Sequence, residues 1–121
     1  MELQFSAKAH LGDFTLDAKF FAPEGQVTVL FGRSGEGKSS IIDAIAGLLP
    51  LTEGKIILGE RLLFDSGSGI NLKPEKRRVG YVFQDSKLFP HLSVKRNLLY
   101  GRRFAPEFRH SPSLDEVIEL L

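Results

Sequence analysis

The first twenty residues alternate between apolar and polar side chains. Apolar residues hold every second position on both sides of Gly12-Asp13, at Leu3, Phe5, Ala7, Ala9 and Leu11 and then at Phe14, Leu16, Ala18 and Phe20. A period of two is typical of strands with one buried face. A two-residue turn at Gly12-Asp13 pairs Leu11 with Phe14 and puts all apolar residues on one side. The pattern therefore predicts an antiparallel hairpin with one solvated face.

Two other segments, 27–31 and 79–83, are almost continuously apolar. Runs of this kind are typical of parallel strands that are covered on both faces, so we predict two buried strands. Between them, residues 55–64 predict a second hairpin around Gly59-Glu60, and residues 65–69 read as a flexible loop.

Three helices are predicted. The first runs from Ser39 to Leu49 and stops near Pro50. The second runs from Val94 to Tyr100, with Ser93 as its cap and Gly101 as its stop. A capping box at residues 113–116 opens the third, which reaches Leu121 without a C-terminal cap. We expect from this last feature that the polypeptide has been cut.

Composition narrows the class of protein. The chain has 121 residues, 42% of them apolar and 26% charged, as expected for one globular domain. A net charge of +1 argues against general binding to nucleic acid or to a membrane surface. The absence of cysteine excludes disulfides, thiolate metal sites and cysteine nucleophiles. No apolar run approaches the ~20 residues that span a bilayer, so we expect no direct membrane insertion.

The strongest chemical signal is residues 32–39, Gly-Arg-Ser-Gly-Glu-Gly-Lys-Ser, a complete G-x-x-x-x-G-K-[ST] phosphate-binding loop between a predicted strand and a predicted helix. Its glycines let backbone N–H groups approach phosphate oxygens, and the following helix directs its positive end at the same place. Lys38 would reach the β- and γ-phosphates, and the Ser39 hydroxyl would bind Mg²⁺. An ordinary Gly/Ser turn is the alternative, which four fixed positions and both flanks disfavour.

Downstream of this loop, the chain resembles a known family. Residues 79–85 (Val-Gly-Tyr-Val-Phe-Gln-Asp), 88–94 and 97–98 resemble the Q-loop region of ABC transporter ATPases, at the family's spacing of about 45 residues after the lysine. Residues 72–78 and 97–101 look most similar to the ATP-binding subunits of molybdate importers. The resemblance covers nearly the whole chain.

The resemblance implies a role for each matching residue. Lys38 and Gln84 would be catalytic, and Ser39 and Gln84 would contact Mg²⁺. ATP would be bound by Gly32, Arg33, Ser34, Gly35, Glu36, Gly37, Lys38, Ser39 and Ser40. Residues 89–91 would lie in the surface that meets a transmembrane subunit, although a turn with a packed aromatic explains them nearly as well. The family also stacks an aromatic ring on adenine; His10 and Phe14 are the candidates, and Phe14 is favoured for the core.

The fold implied is an α/β P-loop NTPase core of the ABC ATPase type, truncated. Residues 1–26 and 55–70 would form an antiparallel β subdomain, 27–50 and 79–85 the P-loop core, and 90–121 the start of a helical subdomain. The full-length protein would energise an importer, for molybdate or a similar oxyanion, by binding and hydrolysing MgATP. Its partners would be permease subunits and a second nucleotide-binding domain, at the inner face of the cell membrane.

Three family motifs do not occur in these residues: the L-S-G-G-Q signature, the acidic strand end with its catalytic glutamate, and the switch histidine. Phosphoryl transfer needs metal, a positioned water and charge stabilisation together. We therefore expect this chain to bind nucleotide without useful turnover. Because later strands would normally cover the two parallel strands, we also expect marginal stability or self-association.

Other classes stay open at this point. A small-molecule kinase would want an arginine-rich lid, for which Arg102-Arg103 is a poor candidate, and a GTPase would want an N-K-x-D motif that this sequence lacks. A non-catalytic nucleotide-binding or interaction module is a further reading. Nucleic-acid binding through residues 73–78 is weaker, because Glu75 interrupts the basic run and a solvated loop explains it.

Overall fold

The N-terminal hairpin and the residues after the first helix form one antiparallel sheet. The computed structural model describes residues 1–32, 37–104 and 112–121. The sheet has five strands in the order β2-β1-β3-β4-β5. They are β1 (Leu3–Leu11), β2 (Phe14–Ala22), β3 (Glu53–Leu58), β4 (Arg61–Asp65) and β5 (Ile70–Asn71).

Both predicted hairpins are confirmed. Leu11 pairs with Phe14 and Phe5 with Phe20, the predicted register, and the two rings of the second pair stack with centroids 5.2 Å apart. β3 and β4 turn at Gly59-Glu60, and a register shift between Ile56 and Ile57 lets two successive residues of β4, Leu63 and Phe64, both be buried. Such a bulge adds one residue to a strand without losing the pairing beyond it.

The first helix, α1 (Lys38–Ala46), covers the apolar face of the sheet. Its Ile41 and Ala44 are buried in one cluster with residues from β1 to β4, namely Phe5, Ala7, Ala9, Leu16, Ile56, Leu63 and Phe64. The helix ends earlier than predicted, at Gly47 rather than Pro50. Gly47 takes a left-handed φ of 84°, and the amides of Gly47 and Leu48 return to the carbonyls of Ala44 and Asp43.

The two predicted parallel strands are not formed by the described residues, and that part of the prediction is wrong for this structure. Residues 27–31 and 79–83 lie outside the sheet. Val29 and Val82 are 74% and 95% exposed. An apolar run becomes a strand only when a neighbouring strand takes its N–H and C=O groups, and none of the described strands pairs with either run. The two runs are named the unpaired segments below.

Two other expectations are corrected. The loop after β4 is an ordered turn, because the Asp65 carboxylate accepts from the Gly67 amide at 3.0 Å and from the Ser68 hydroxyl at 2.8 Å. The basic stretch is not uniformly solvated either. It contains a short helix, α2 (Pro74–Arg77), whose last residue has a buried side chain with 2% exposure.

Residues 1–81 form one compact unit and residues 82–121 a second. The second contains α3 (Val94–Leu99), a 3₁₀ helix (Tyr100–Phe104) and α4 (Leu114–Leu120). The Ser93 and Ser113 hydroxyls each accept from the amide three residues on, at 3.2 Å, so both predicted caps are confirmed. Gly101 does not stop a helix as predicted, since the chain continues through it as 3₁₀ helix.

Candidate functional site

The described part of the phosphate-binding loop lies at the start of α1. Gly37 is the N-cap, with φ 88° and ψ 13°, a left-handed conformation that glycine adopts without steric cost. Lys38 is the first helical residue, and Ser39 and Ser40 follow it. The backbone N–H groups of this first turn have no carbonyl acceptor within the helix. Arg33, Ser34, Gly35 and Glu36 lie outside the described residues.

The Lys38 side chain reaches back to the first residue of the motif. Its Nζ donates to the Gly32 carbonyl oxygen at 2.6 Å, which brings the first glycine of the motif and its lysine together. The lysine is partly buried, whereas the Ser39 side chain is exposed and Ser40 partly exposed. An ammonium group held against an oxygen, beside the positive end of a helix, is suited to a phosphate oxygen as an alternative partner.

The hairpin packs directly against Gly37. A Cβ added to Gly37 would lie 3.0 Å from Leu16 Cδ1 and 3.1 Å from Phe14 Cε1, so both side chains of β2 contact this glycine. Phe14 remains 39% exposed and does not belong to the buried core cluster. His10, the other adenine-stacking candidate, is exposed, and its Nδ1 lies 3.3 Å from the Thr15 hydroxyl.

Arg77 holds the opposite end of α1, a role the sequence did not reveal. Its Nη1 donates to the carbonyls of Ala44 and Ile45, in the last turn of the helix, at 2.8 and 3.1 Å. Its Nε donates to Leu72 O and its Nη2 to Asn71 Oδ1, both at 2.8 Å. Burial lowers the pKa of this guanidinium from its ordinary value.

A second contact joins α1 to the same stretch of chain. The Tyr81 hydroxyl donates to the Asp43 carboxylate. This hydrogen bond, with smaller effects of burial and of the carboxylate charge, raises the pKa of the Tyr81 phenol. Nothing in the sequence pattern distinguished this tyrosine and aspartate as partners, because they are 38 positions apart.

Gln84 lies in the second unit with an exposed side chain. Nearby in sequence, the Lys87 Nζ lies 5.8 Å from the centre of the Phe83 ring, a cation–π distance. The structure therefore joins Gly32, Gly37 and Lys38 in one site, and the role of Gln84 stays a prediction. Among the described residues, no three His, Asp or Glu side chains cluster as a metal site would require.

The second unit carries a turn at residues 89–93 that one side chain holds together. Asn97 Oδ1 accepts from the Phe89 amide at 2.8 Å. Its Nδ2 donates to the carbonyls of Phe89, Leu92 and Ser93 at 2.9 to 3.2 Å. The ring of Phe89 contacts Tyr100 with centroids 4.4 Å apart. Beside this turn lies an open groove of about 420 Å³, lined largely by apolar side chains.

With this geometry described, comparison with known proteins identifies the family. The sequence model of the ABC transporter family matches residues 16–121, almost the entire chain. The chain belongs to the ABC transporter family. This confirms the resemblance found at the phosphate-binding loop and the Q-loop, and makes residues 1–121 the N-terminal part of an ABC ATPase domain. No helix among the described residues is both long and apolar enough to cross a membrane.

Curated relatives within the ABC family agree with the narrower resemblance. The "Molybdenum import ATP-binding protein ModC" of Paramagnetospirillum magneticum is 50% identical over 119 residues, which are 98% of this chain and 32% of that protein. The protein of the same name from Rhizobium etli is 50% identical over 121 residues, all of this chain and 34% of the relative. The Aliivibrio fischeri protein is 46% identical over 119 residues. The chain thus spans about a third of the length of these relatives.

Proposed function

We propose that this chain binds MgATP at its phosphate-binding loop, as part of the ATP-binding subunit of an importer for molybdenum in oxyanion form. The observation that carries the proposal is the bond from Lys38 Nζ to Gly32 O at the N-terminus of α1. This bond brings the lysine of the motif to the first glycine of the motif, which supports phosphate binding by these residues. The solute is inferred from relatives that are named as molybdenum import proteins.

The residues present fit a nucleotide phosphate. The N–H groups at the start of α1 and the Lys38 ammonium are hydrogen-bond donors, and phosphate oxygens are acceptors. A Cβ at Gly37 would lie 3.0 to 3.2 Å from atoms of Leu16 and Phe14, and the left-handed backbone there would also be strained by a larger residue. The Ser39 hydroxyl, exposed at the first turn, would supply one oxygen ligand to Mg²⁺. When bound, Mg²⁺ would neutralise charge on the β- and γ-phosphates.

The residues of this site would have different roles in binding MgATP. Backbone donors from Gly32 to Ser40 would hold the phosphates, and Lys38 would exchange the Gly32 carbonyl for a phosphate oxygen. Gln84 would orient water or contact the metal once the rest of the domain is present. Hydrolysis and transport belong to a protein of the relatives' length, and we expect the 121 residues to bind nucleotide without sustained turnover.

We further propose that the groove beside the 89–93 turn faces the permease. Its lining includes Leu88, Phe89 and Val94, and Leu88 and Val94 are 70% and 78% exposed. An exposed apolar groove beside a turn that is held by four hydrogen bonds is suited to bind a partner surface with both apolar and polar side chains. Association with permease subunits and with a second nucleotide-binding domain would hold the protein at the inner face of the membrane.

The proposal is tested by titrating the chain with MgATP in a calorimeter. Lys38→Ala is the test variant, and Lys8→Ala, which removes an exposed lysine on β1, is the matched control. We expect saturable binding that is weakened at least about tenfold in Lys38→Ala, because one charge-assisted bond to phosphate is worth about 1.5–3 kcal/mol. Lys8→Ala should bind like the parent. The proposal would be contradicted if Lys38→Ala bound MgATP as tightly as Lys8→Ala, or if the parent bound none.

A further inference from the structure

The phosphate-binding loop and the chain leading to Gln84 are attached to the same helix. The N-terminus of α1 follows Gly37, whereas its C-terminal half receives contacts from the residues just before Gln84. α1 has nine residues and is therefore about 13 Å long. Both attachments therefore lie on one continuous helix.

The first attachment is Arg77. Its guanidinium is nearly inaccessible, at 2% exposure, and donates to the carbonyls that close α1. Gly47 belongs to this arrangement, since a Cβ at that position would lie 2.8 Å from Arg77 Nε. The carbonyl of Arg77 in turn accepts from Arg61 Nη2 at 2.8 Å, so the residue is fixed through its backbone as well as its side chain.

The attachment continues after Arg77 at two further residues, Val79 and Tyr81. Val79 packs against the buried cluster, and Tyr81 donates to Asp43 on α1. Arg78, Gly80 and Val82, which alternate with them, are exposed. Arg77 ends α2 and Arg78 takes a left-handed φ of 55°. Beyond this bend, Val79 and Tyr81 contact the core and the helix. Gln84 follows three residues after the last of them.

We propose that Arg77, Val79 and Tyr81 are positioning residues that fix the start of the Gln84 loop to helix α1. The loop then follows movements of the helix that carries the phosphate-binding residues. This rests on the proposed nucleotide binding for its response to MgATP, but the attachment itself can be measured without nucleotide. Tyr81 is the best residue to test, because removing a single hydroxyl leaves its ring in place.

The experiment uses a unique probe. The chain contains no cysteine, so Asp85→Cys labelled with an environment-sensitive fluorophore reports only on the residue next to Gln84. Tyr81→Phe is the test variant. Tyr100→Phe, which changes the only other tyrosine, is the matched control. Asp43→Asn keeps an oxygen acceptor for the Tyr81 hydroxyl and should behave like the parent, whereas Asp43→Leu removes the acceptor and should behave like Tyr81→Phe.

Without nucleotide, we expect lower fluorescence anisotropy of the probe at position 85 in Tyr81→Phe and Asp43→Leu, at unchanged far-UV circular dichroism. With MgATP, we expect the parent's fluorescence change to fall by at least half in these two variants, while the dissociation constant stays within about twofold.

Each outcome separates the attachment from the proposed function. Unchanged anisotropy in Tyr81→Phe would overturn the proposal whether or not ATP binds. If anisotropy falls but the parent does not bind MgATP, the attachment stands and the proposed function fails. If MgATP binds and the response of Tyr81→Phe equals that of the parent, the helix does not transmit occupancy to the loop, and this part of the proposal is overturned.

Discussion

The strands of the β-sheet and the two unpaired segments are similarly apolar. The strands are paired by backbone hydrogen bonds, whereas most side chains of the unpaired segments are exposed and only Leu30, Val79 and Tyr81 are partly buried. Each strand of the sheet has a partner close in sequence or one helix away, as in the pairing of Leu11 with Phe14. The unpaired segments find no partner strand among the described residues, and Val27 and Phe31 are 92% and 98% exposed. An apolar run therefore forms a buried strand only if the sequence also supplies a partner strand for it.

The largest predicted effect compares two glycines, one in each region. A Cβ at Gly54 of β3 would lie 2.3 Å from Ser6 O and 2.4 Å from Ala7 Cα, with φ at 132°. Gly54→Ala should therefore cost about 4 kcal/mol or prevent folding. At Gly80, in an unpaired segment, an added Cβ meets nothing within 4 Å, so Gly80→Ala should change stability by less than about 0.5 kcal/mol. Urea unfolding measures both, and equal effects would break the comparison.

The next prediction compares two apolar side chains. Ile56 is fully buried in β3, whereas Val29 is 74% exposed. Ile56→Ala should lower the free energy of unfolding by about 2–5 kcal/mol, because it leaves a cavity in the core. Val29→Ala should have an effect below about 0.5 kcal/mol. A cost above about 1.5 kcal/mol for Val29→Ala, measured in the same urea series, would show that the segment is buried in solution.

Helix caps in the second unit provide a smaller effect. α3 and α4 begin where a serine hydroxyl accepts from the backbone, and neither contains a buried residue. Ser93→Ala and Ser113→Ala should each reduce helix stability by about 1 kcal/mol, visible as lost helical signal in circular dichroism. Ser86→Ala, outside any helix, is the control. Helical signal that is unchanged in both cap variants would mean that other contacts hold these helices.

The smallest predicted effect is a pH dependence at the turn after β4. Chiefly the Ser68 hydroxyl, and also the Gly67 amide, lower the pKa of Asp65 below its ordinary 3.8, although desolvation opposes them. A carboxylate with a lowered pKa stabilises the fold above about pH 4, and the contribution disappears as the pH falls through the folded-state value. Asp65→Asn should therefore narrow the difference in urea midpoint between pH 6 and pH 3. If the urea midpoint changed equally between pH 6 and pH 3 in Asp65→Asn and in the parent, the Asp65 carboxylate would not stabilise the turn.

The sequence predictions were accurate for interactions between residues close in sequence and failed for those between distant residues. Hairpin register and capping serines depend on residues a few positions apart, and these were predicted correctly. Arg77 was misjudged as part of a solvated run because its partners, Ala44 and Ile45, are 33 and 32 positions away. The Tyr81–Asp43 bond and the four bonds of Asn97 depend on how the backbone folds around them, which periodicity does not encode.

Amide hydrogen exchange with and without MgATP tests nucleotide binding at the start of α1, because it locates the nucleotide as well as detecting it. We expect MgATP to slow amide exchange at residues 37–41, the start of α1, in the parent and in Lys8→Ala but not in Lys38→Ala. The strands should already exchange slowly and change little. Protection that appears only elsewhere, such as on the outer face of the sheet around Lys19, Phe21 and Lys55, would contradict the claim, as would protection that survives in Lys38→Ala.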